Sequence, residues 1–315
     1  MSGPSQIAGA EELRRQAGIG ATIYTDQLPP SATASRQAAP ALPCIYLKGI
    51  PLHAVTEMQA VQYVLDQLEV GQGGWVITPN LDHLRRLSHD QGFKQLYSQA
   101  SLIVADGMPL VWASRLQGTP LPERVAGSNL INSLSRAAAK RDRSVYLLGG
   151  DPGTAEKAAD ILRERYRNLR IAGTHCPPVG FDSNENQMEG LICRLDQADP
   201  DIVYVALGSP KQEWLIGRLR GHLPRAWWLG IGISFSFLSG HVRRAPRWMQ
   251  RTGLEWLHRL SQEPRRLAKR YLLYGLPFAG SLLIDAAINR LLHRDANGTQ
   301  PPTAMGGRTA GQLLP

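Results

Sequence analysis

The stretch SVYLLGGDPGTAEKAADILRERYRNLRIAG, Ser144 to Gly173, sets the architecture of the chain. It opens with an apolar run, SVYLLGG, whose lack of polar alternation suits a strand buried on both faces. In the next segment, Ala155, Ala158, Ala159, Ile161 and Leu162 share one side and charges line the other, as in an amphipathic helix. LRIAG (Leu169–Gly173) then reads as a second strand. A strand–helix–strand unit of this kind belongs to a parallel sheet with right-handed crossovers.

The pattern repeats outward in both directions. GWVIT (Gly74–Thr78), SLIVA (Ser101–Ala105), DIVYVALG (Asp201–Gly208) and WWLGIG (Trp227–Gly232) are further short apolar runs separated by helical segments. The expected fold is α/β: a Rossmann-like parallel sheet with flanking helices and a C-terminal helical appendage. Composition shifts divide the chain into a flexible leader rich in Ala, Ser, Gly, Gln and Pro (1–40), an α/β catalytic domain (41–240), a basic amphipathic appendage (241–295) and a flexible tail (296–315).

The totals set bounds. An apolar content of 43% over 315 residues is enough for a sizeable core, and a net charge of +9 points to an anionic partner. Cys44, Cys176 and Cys193 are odd in number and lack metal-ligand spacing, so they read as reduced thiols of a cytosolic protein. The N-terminus lacks the basic start and apolar run of a secretory signal.

Chemistry-bearing residues gather where the strands end. TPNLDHL follows the first run, Asp106-Gly107 the second, GGDPGT the third, GSPKQE the fifth and GISFSFLSG the sixth. In a parallel sheet this is the edge where ligands bind. Gly149, Gly150, Gly208 and Gly232 are the expected nucleotide-binding glycines at that edge. LLGGDPGTAEKA resembles a phosphate-binding loop, in which backbone N–H groups and a helix N-terminus face the anion. It is neither G-x-G-x-x-G nor a Walker sequence, so a nicotinamide dehydrogenase is poorly supported. Asp106-Gly107 reads either as turn chemistry or as a carboxylate serving a ligand. Asp199-Pro200-Asp201 has the letters of a metal-binding D-x-D but precedes its strand, at the opposite edge. No zinc spacing occurs, and no metal or cofactor is expected. His83 reads as a polar helix residue.

From His241 to Arg270, nine cations face only Glu255 and Glu263, a net of +7. The apolar run Tyr271–Ile284 beside them is interrupted by Gly275 and Pro277 and is too short to span a bilayer. Basic residues next to such a segment suit an interfacial membrane helix. A core-packing helix with a solvated basic face is the alternative. Nucleic acid is disfavoured, because no recognition motif accompanies the charge.

TPNLDHL, ADGMPLVWASRLQG, ERVAGSNL, VYLLGGDPG, LGSPKQEW, RAPRWMQRTGLEWLHRL and EPRR, taken in this order, resemble the WecG/TagA/CpsF glycosyltransferases, glycosyltransferase family 26. The resemblance implies an inverting, metal-independent enzyme that moves a sugar from a UDP-sugar to a polyprenyl-diphosphate-linked saccharide in surface-polymer biosynthesis. It implies a cytoplasmic, peripheral location on the inner membrane face. Asp106 matches the general base, and Thr78, Asn80, Arg124 and Gln212 match residues lining the sugar pocket. The basic appendage folds over the site and contacts the membrane in such enzymes. Arg259 and Arg266, with Arg244 behind them, are the expected cations for the leaving diphosphate. Ser236 stands where members commonly carry an Asp that helps hold the nucleotide, and Ile233 where a Gly is usual. The expected partners are thus the donor, the lipid-linked acceptor and an anionic membrane surface, with a homo-oligomer left open and no nucleic acid. A non-catalytic Rossmann-type nucleotide-binding regulator is the alternative from another class.

Overall fold

The computed structural model describes residues 42–298, with side chains as far as 292. The expected leader (1–40) lies outside the described residues. So does the expected tail (296–315), apart from its first three residues, which continue the last helix.

The six expected runs are all strands: β3 (Gly74–Ile77), β4 (Leu102–Ile103), β5 (Ser144–Gly149), β6 (Arg170–His175), β7 (Ile202–Ala206) and β8 (Trp227–Gly230). They form one six-stranded sheet in the order β4-β3-β8-β7-β5-β6, and every neighbouring pair is parallel. The chain steps outward from β3 to β4, crosses to β5 and β6, then returns to fill β7 and β8. The carboxyl ends of the central strands therefore border the crevice left where the winding reverses.

Side chains alternate between two cores. Trp75, Ile77, Val203, Val205 and Trp228 face one side, and Val76, Tyr204, Trp227 and Leu229 face the other. Helices α1 (Glu57–Glu69), α5 (Gly127–Lys140) and α6 (Thr154–Arg165) cover the second face. Helices α2 (Leu81–Leu87), α3 (Gln91–Tyr97), α4 (Met108–Gln117), α7 (Glu185–Ala198) and α8 (Lys211–Leu219) cover the first. Burial on both sides is why the strands lack polar alternation.

A hairpin of β1 (Cys44–Leu47) and β2 (Ile50–His53) was not foreseen. Its runs are four residues each, and Pro51 interrupts the second. It turns at Lys48 and Gly49, both at positive φ (49° and 72°), the backbone of a tight hairpin turn. His53 Nδ1 accepts the Ile103 N–H at 2.9 Å, tying the hairpin to edge strand β4. At the amino edge, Asp201 accepts from Ser144 N (2.7 Å) and Arg143 Nη1 (3.0 Å). The D-x-D letters thus do structural work there, away from the crevice.

Beyond β8 come α9 (Ser234–Leu238), α10 (Arg247–Arg251), α11 (Glu255–Gln262) and α12 (Pro264–Ala268). The last continues through a π-helical segment, Lys269–Gly275, into α13 (Leu276–Gly298). The helix is not broken at Gly275 and Pro277, contrary to expectation. The wider π turn lies just before Pro277, where the missing N–H and the ring would disrupt a regular α-helix. The resulting helix, Pro264–Leu292, has 29 residues and is long and apolar enough to cross a membrane by length and composition. Leu282 and Ala286 are buried in the core, on the side packed against α4. Leu273, Leu276, Ile284, Ile288 and Leu291, at helical spacing, are exposed.

Candidate active site

The carboxyl edge brings together residues from strands β3, β4, β7 and β8. Asp106 follows β4, and its N–H bonds Pro79 O at 2.8 Å, fixing it beside the loop after β3. Val125 N bonds Ala105 O at 2.9 Å, which carries Arg124 alongside. Gly127 opens α5 with its N–H facing the Asp106 carboxylate. A Cβ on Gly127 would lie 3.3 Å from Thr78 Oγ1 and 3.5 Å from Gly230 O. Glycine therefore lets the start of α5 close on the ends of β3 and β8.

The appendage reaches this point through Glu255. Its Oε2 accepts from Arg124 Nη1 at 2.8 Å and its Oε1 from Arg244 Nε at 3.2 Å. Burial pushes Glu255 up, but the two guanidinium groups hold it below the usual carboxylate range. Asp106 has the opposite balance. Burial raises its pKa and Glu255 adds to the rise, against the opposing pull of Arg124, the Gly127 N–H and Arg244. The result is a desolvated carboxyl group shifted towards the range in which a general base works.

Arg244 and Arg259 both lie over the Phe237 ring, 5.9 Å from its centroid. Arg244 Nη2 and Arg259 Nε are buried donors with no hydrogen-bond partner among the described residues. Unused buried guanidinium donors are costly unless an anion takes them up. Arg266 is placed differently. It is largely exposed and bound to Glu263 at 2.6 Å, while Arg244, expected behind it, lies nearer Asp106.

The amides form a second cluster. Asn80 caps α2, its Oδ1 accepting from Asp82 N (3.0 Å) and His83 N (3.3 Å). Gln212 Oε1 accepts the Gly232 N–H at 3.0 Å, and its Nε2 donates to Glu213 at 2.8 Å. A Cβ on Gly230 would lie within 2.5 Å of Gln212 Nε2, so the bare backbone of β8 makes room for the amide. His83, expected as an ordinary polar helix residue, is buried and joins Asn80 to Glu213.

Gly149 ends β5 and Gly150 follows it, Gly208 follows β7 and Gly232 follows β8. A Cβ on Gly208 or Gly232 would meet nothing within 4 Å, so both border open space. Ser236 Oγ donates to Asp151 Oδ2 at 3.1 Å, joining α9 to the β5 loop. That loop is poorly suited to a phosphate, since Asp151 lies in it and Glu156 in the first turn of α6.

Glu255, His83 and Glu213 are the residues that sequence reasoning missed. A signal existed for each. Glu255 is one of only two acids in the basic tract, His83 stands at capping-box spacing from Asn80, and Glu213 adjoins Gln212.

A Rossmann-like sheet with an acid, arginines and oriented amides at its carboxyl edge is the arrangement of an α/β enzyme, and that edge is the candidate ligand site. Residues 45–291 match the model of the Glycosyl transferase WecG/TagA/CpsF family. The chain belongs to that family, and is a glycosyltransferase of cell-wall polymer biosynthesis.

Proposed function

We propose that the enzyme transfers a sugar from a UDP-sugar to a polyprenyl-diphosphate-linked saccharide, with inversion and without a metal, at the cytoplasmic face of the membrane. The observation that carries this reading is the desolvated Asp106 facing the Arg124–Glu255–Arg244 bridge. Asp106 takes the proton of the acceptor hydroxyl as its oxygen attacks the anomeric carbon. The bond to UDP breaks on the opposite side, and its electron pair leaves with the diphosphate. Arg124, Arg244 and Arg259 are the cations for that charge. Arg266 serves farther out. The acidic β5 loop suits the uncharged nucleoside end of the donor, through Gly149, Gly150, Gly208, Gly232 and Ser236, with the diphosphate towards the arginines. Thr78, Asn80, Arg124 and Gln212 surround the sugar. The test is a panel of UDP-sugars against lipid-diphosphate acceptors, with the product's anomeric configuration read by NMR. If no UDP-sugar yields a product, the reading fails.

Because arginines serve the diphosphate, turnover is expected to persist in EDTA. Complete loss, restored by Mg²⁺ or Mn²⁺, would contradict this part of the mechanism.

The appendage also provides the membrane contact. Leu273, Leu276, Ile284, Ile288 and Leu291 are exposed on the helix, and Trp112 and Leu116 are exposed on neighbouring α4. With the +7 tract alongside, this surface fits an anionic bilayer, each cation adding about 1 kcal/mol near it. Leu282 and Ala286, buried on the side packed against α4, favour an interfacial over a spanning helix. Co-sedimentation with anionic vesicles is expected to weaken as salt rises. Leu276→Glu with Ile284→Glu should weaken it further, each change forfeiting roughly 1.5–3 kcal/mol of apolar burial in the bilayer. Turnover of a short-chain soluble acceptor should stay unchanged. Equal vesicle binding by the variant would place the membrane contact elsewhere.

A further inference from the structure

We propose that His83 and Glu213 form a buried ion pair whose task is to orient the side-chain amides of Asn80 and Gln212, making both of them positioning residues for the transferred sugar. This rests on the transferase reading above. His83 Nε2 lies 3.3 Å from Glu213 Oε1, and both side chains are almost completely buried. On the other side of the ring, Nδ1 lies 3.0 Å from Asn80 Oδ1. That oxygen already accepts two backbone N–H groups, which settles which end of the amide it is. An acceptor oxygen at 3.0 Å calls for a proton on Nδ1, and a carboxylate oxygen calls for one on Nε2. The Asn80 N–H, at 3.4 Å from Nδ1, is the longer and weaker competitor. The ring is therefore an imidazolium.

The charge contributes direction rather than stability. A buried ion pair adds little net stability over an apolar pair of the same volume. An amide, however, has two nearly isosteric ends, and flipping it replaces a donor by an acceptor. Here Glu213 Oε1 collects both His83 Nε2 and Gln212 Nε2, the latter at 2.8 Å. Gln212 is thereby held with its oxygen on the Gly232 N–H. Asn80 is held with its oxygen towards α2, and its Nδ2 group, without a hydrogen-bond partner among the described residues, is the end left for a ligand. One carboxylate oxygen thus sets both amides, at the helix starts after β3 and β7, the strands that flank β8. Burial works to protonate Glu213, but His83, Gln212 and Ser209 hold its carboxyl below the usual range, so the anion persists. Tyr97, buried on α3, is the other titratable group under its influence.

The decisive variants are Glu213→Gln, which keeps an acceptor oxygen for both donors but removes the charge, and His83→Gln. Nitrogen-15 NMR of the ligand-free enzyme near neutral pH reads the ring directly. Both His83 nitrogens are expected to be protonated in the wild type, and only one in Glu213→Gln. Both variants should bind UDP with wild-type affinity while kcat falls about 10²-fold, as for a misplaced reacting group; Tm falls in both, more in His83→Gln, which leaves the buried Glu213 carboxylate without its cation. A purely structural role would instead lower UDP affinity along with Tm and leave kcat of the folded protein at the wild-type value. A neutral His83 in the wild type, or wild-type kcat in a folded Glu213→Gln protein, overturns the proposal. If the wild type neither binds UDP nor transfers sugar, it is the transferase reading that fails, and the ring's protonation still decides the pair.

Discussion

Asp106→Asn is expected to lose ~10²–10⁴ in turnover, the range for removing a general base, while the protein becomes no less stable at neutral pH. The stability half follows from the direction of the pKa shift. Burial, reinforced by Glu255, raises the Asp106 pKa in the folded state. Ionising it there costs more than in the unfolded chain. Above the folded pKa the wild type carries that penalty and the Asn variant does not. Below the unfolded value both states hold the proton, and the difference vanishes. Melting curves across a pH series should therefore show the variant at or above the wild type at neutral pH, the gap closing in acid. Donor binding should survive, since in the proposed binding mode the nucleoside end lies over β5, β7 and β8. Near-wild-type turnover in a folded Asn variant would remove Asp106 from the chemistry. An acid limb in kcat/KM, present in the wild type above the ordinary Asp range, is the matching kinetic sign.

The two halves of this site differ in how far the sequence reveals them. Strand-end positions are local facts. An apolar run followed by Asp106, Thr78 or Gly208 places each of them at the carboxyl edge without any knowledge of partners. For the same reason the amino-edge position of Asp201 could be read in advance. Pairings across the fold have no local signature. Arg124 and Glu255 lie 131 positions apart, and His83 and Glu213 lie 130 apart. Each side chain alone looks like an ordinary polar residue on a helix or loop. Arg266 reads as well as Arg244 from the tract alone, and only packing turns Arg244 inward and leaves Arg266 largely exposed. The helix through Gly275 and Pro277 was illegible for a related reason. Local propensity argues for a break, and tertiary packing on α4 with a π turn overrides it.

Arg124→Met should be the other severe lesion, and pairing it with Glu255→Met separates two roles. Alone, Arg124→Met removes a cation from the developing charge, a loss of ~10²–10³ in kcat for one such donor. It also leaves Glu255, mostly buried, with Arg244 as its remaining partner. Breaking a fully buried pair costs about 3–5 kcal/mol, and the surviving Arg244 contact keeps the cost here below that range. Arg124 is also the strongest influence holding the Asp106 pKa down. Without it that pKa rises further, and because turnover needs the carboxylate, the acid limb moves to higher pH. Glu255→Gln works in the other direction, removing a like charge and moving the limb to lower pH. In the Arg124→Met/Glu255→Met double variant no carboxylate is left short of a cation, but Arg244 loses its Glu255 contact, so only part of the lost stability should return. Activity should not return, because the diphosphate still lacks its cation and the appendage has lost its ionic link to the edge of β4. Melting temperature and kcat, measured on the three proteins with a soluble acceptor, decide the matter. If turnover recovers together with stability, Arg124 only docks the appendage, and the charge on the leaving group is borne by Arg244 and Arg259.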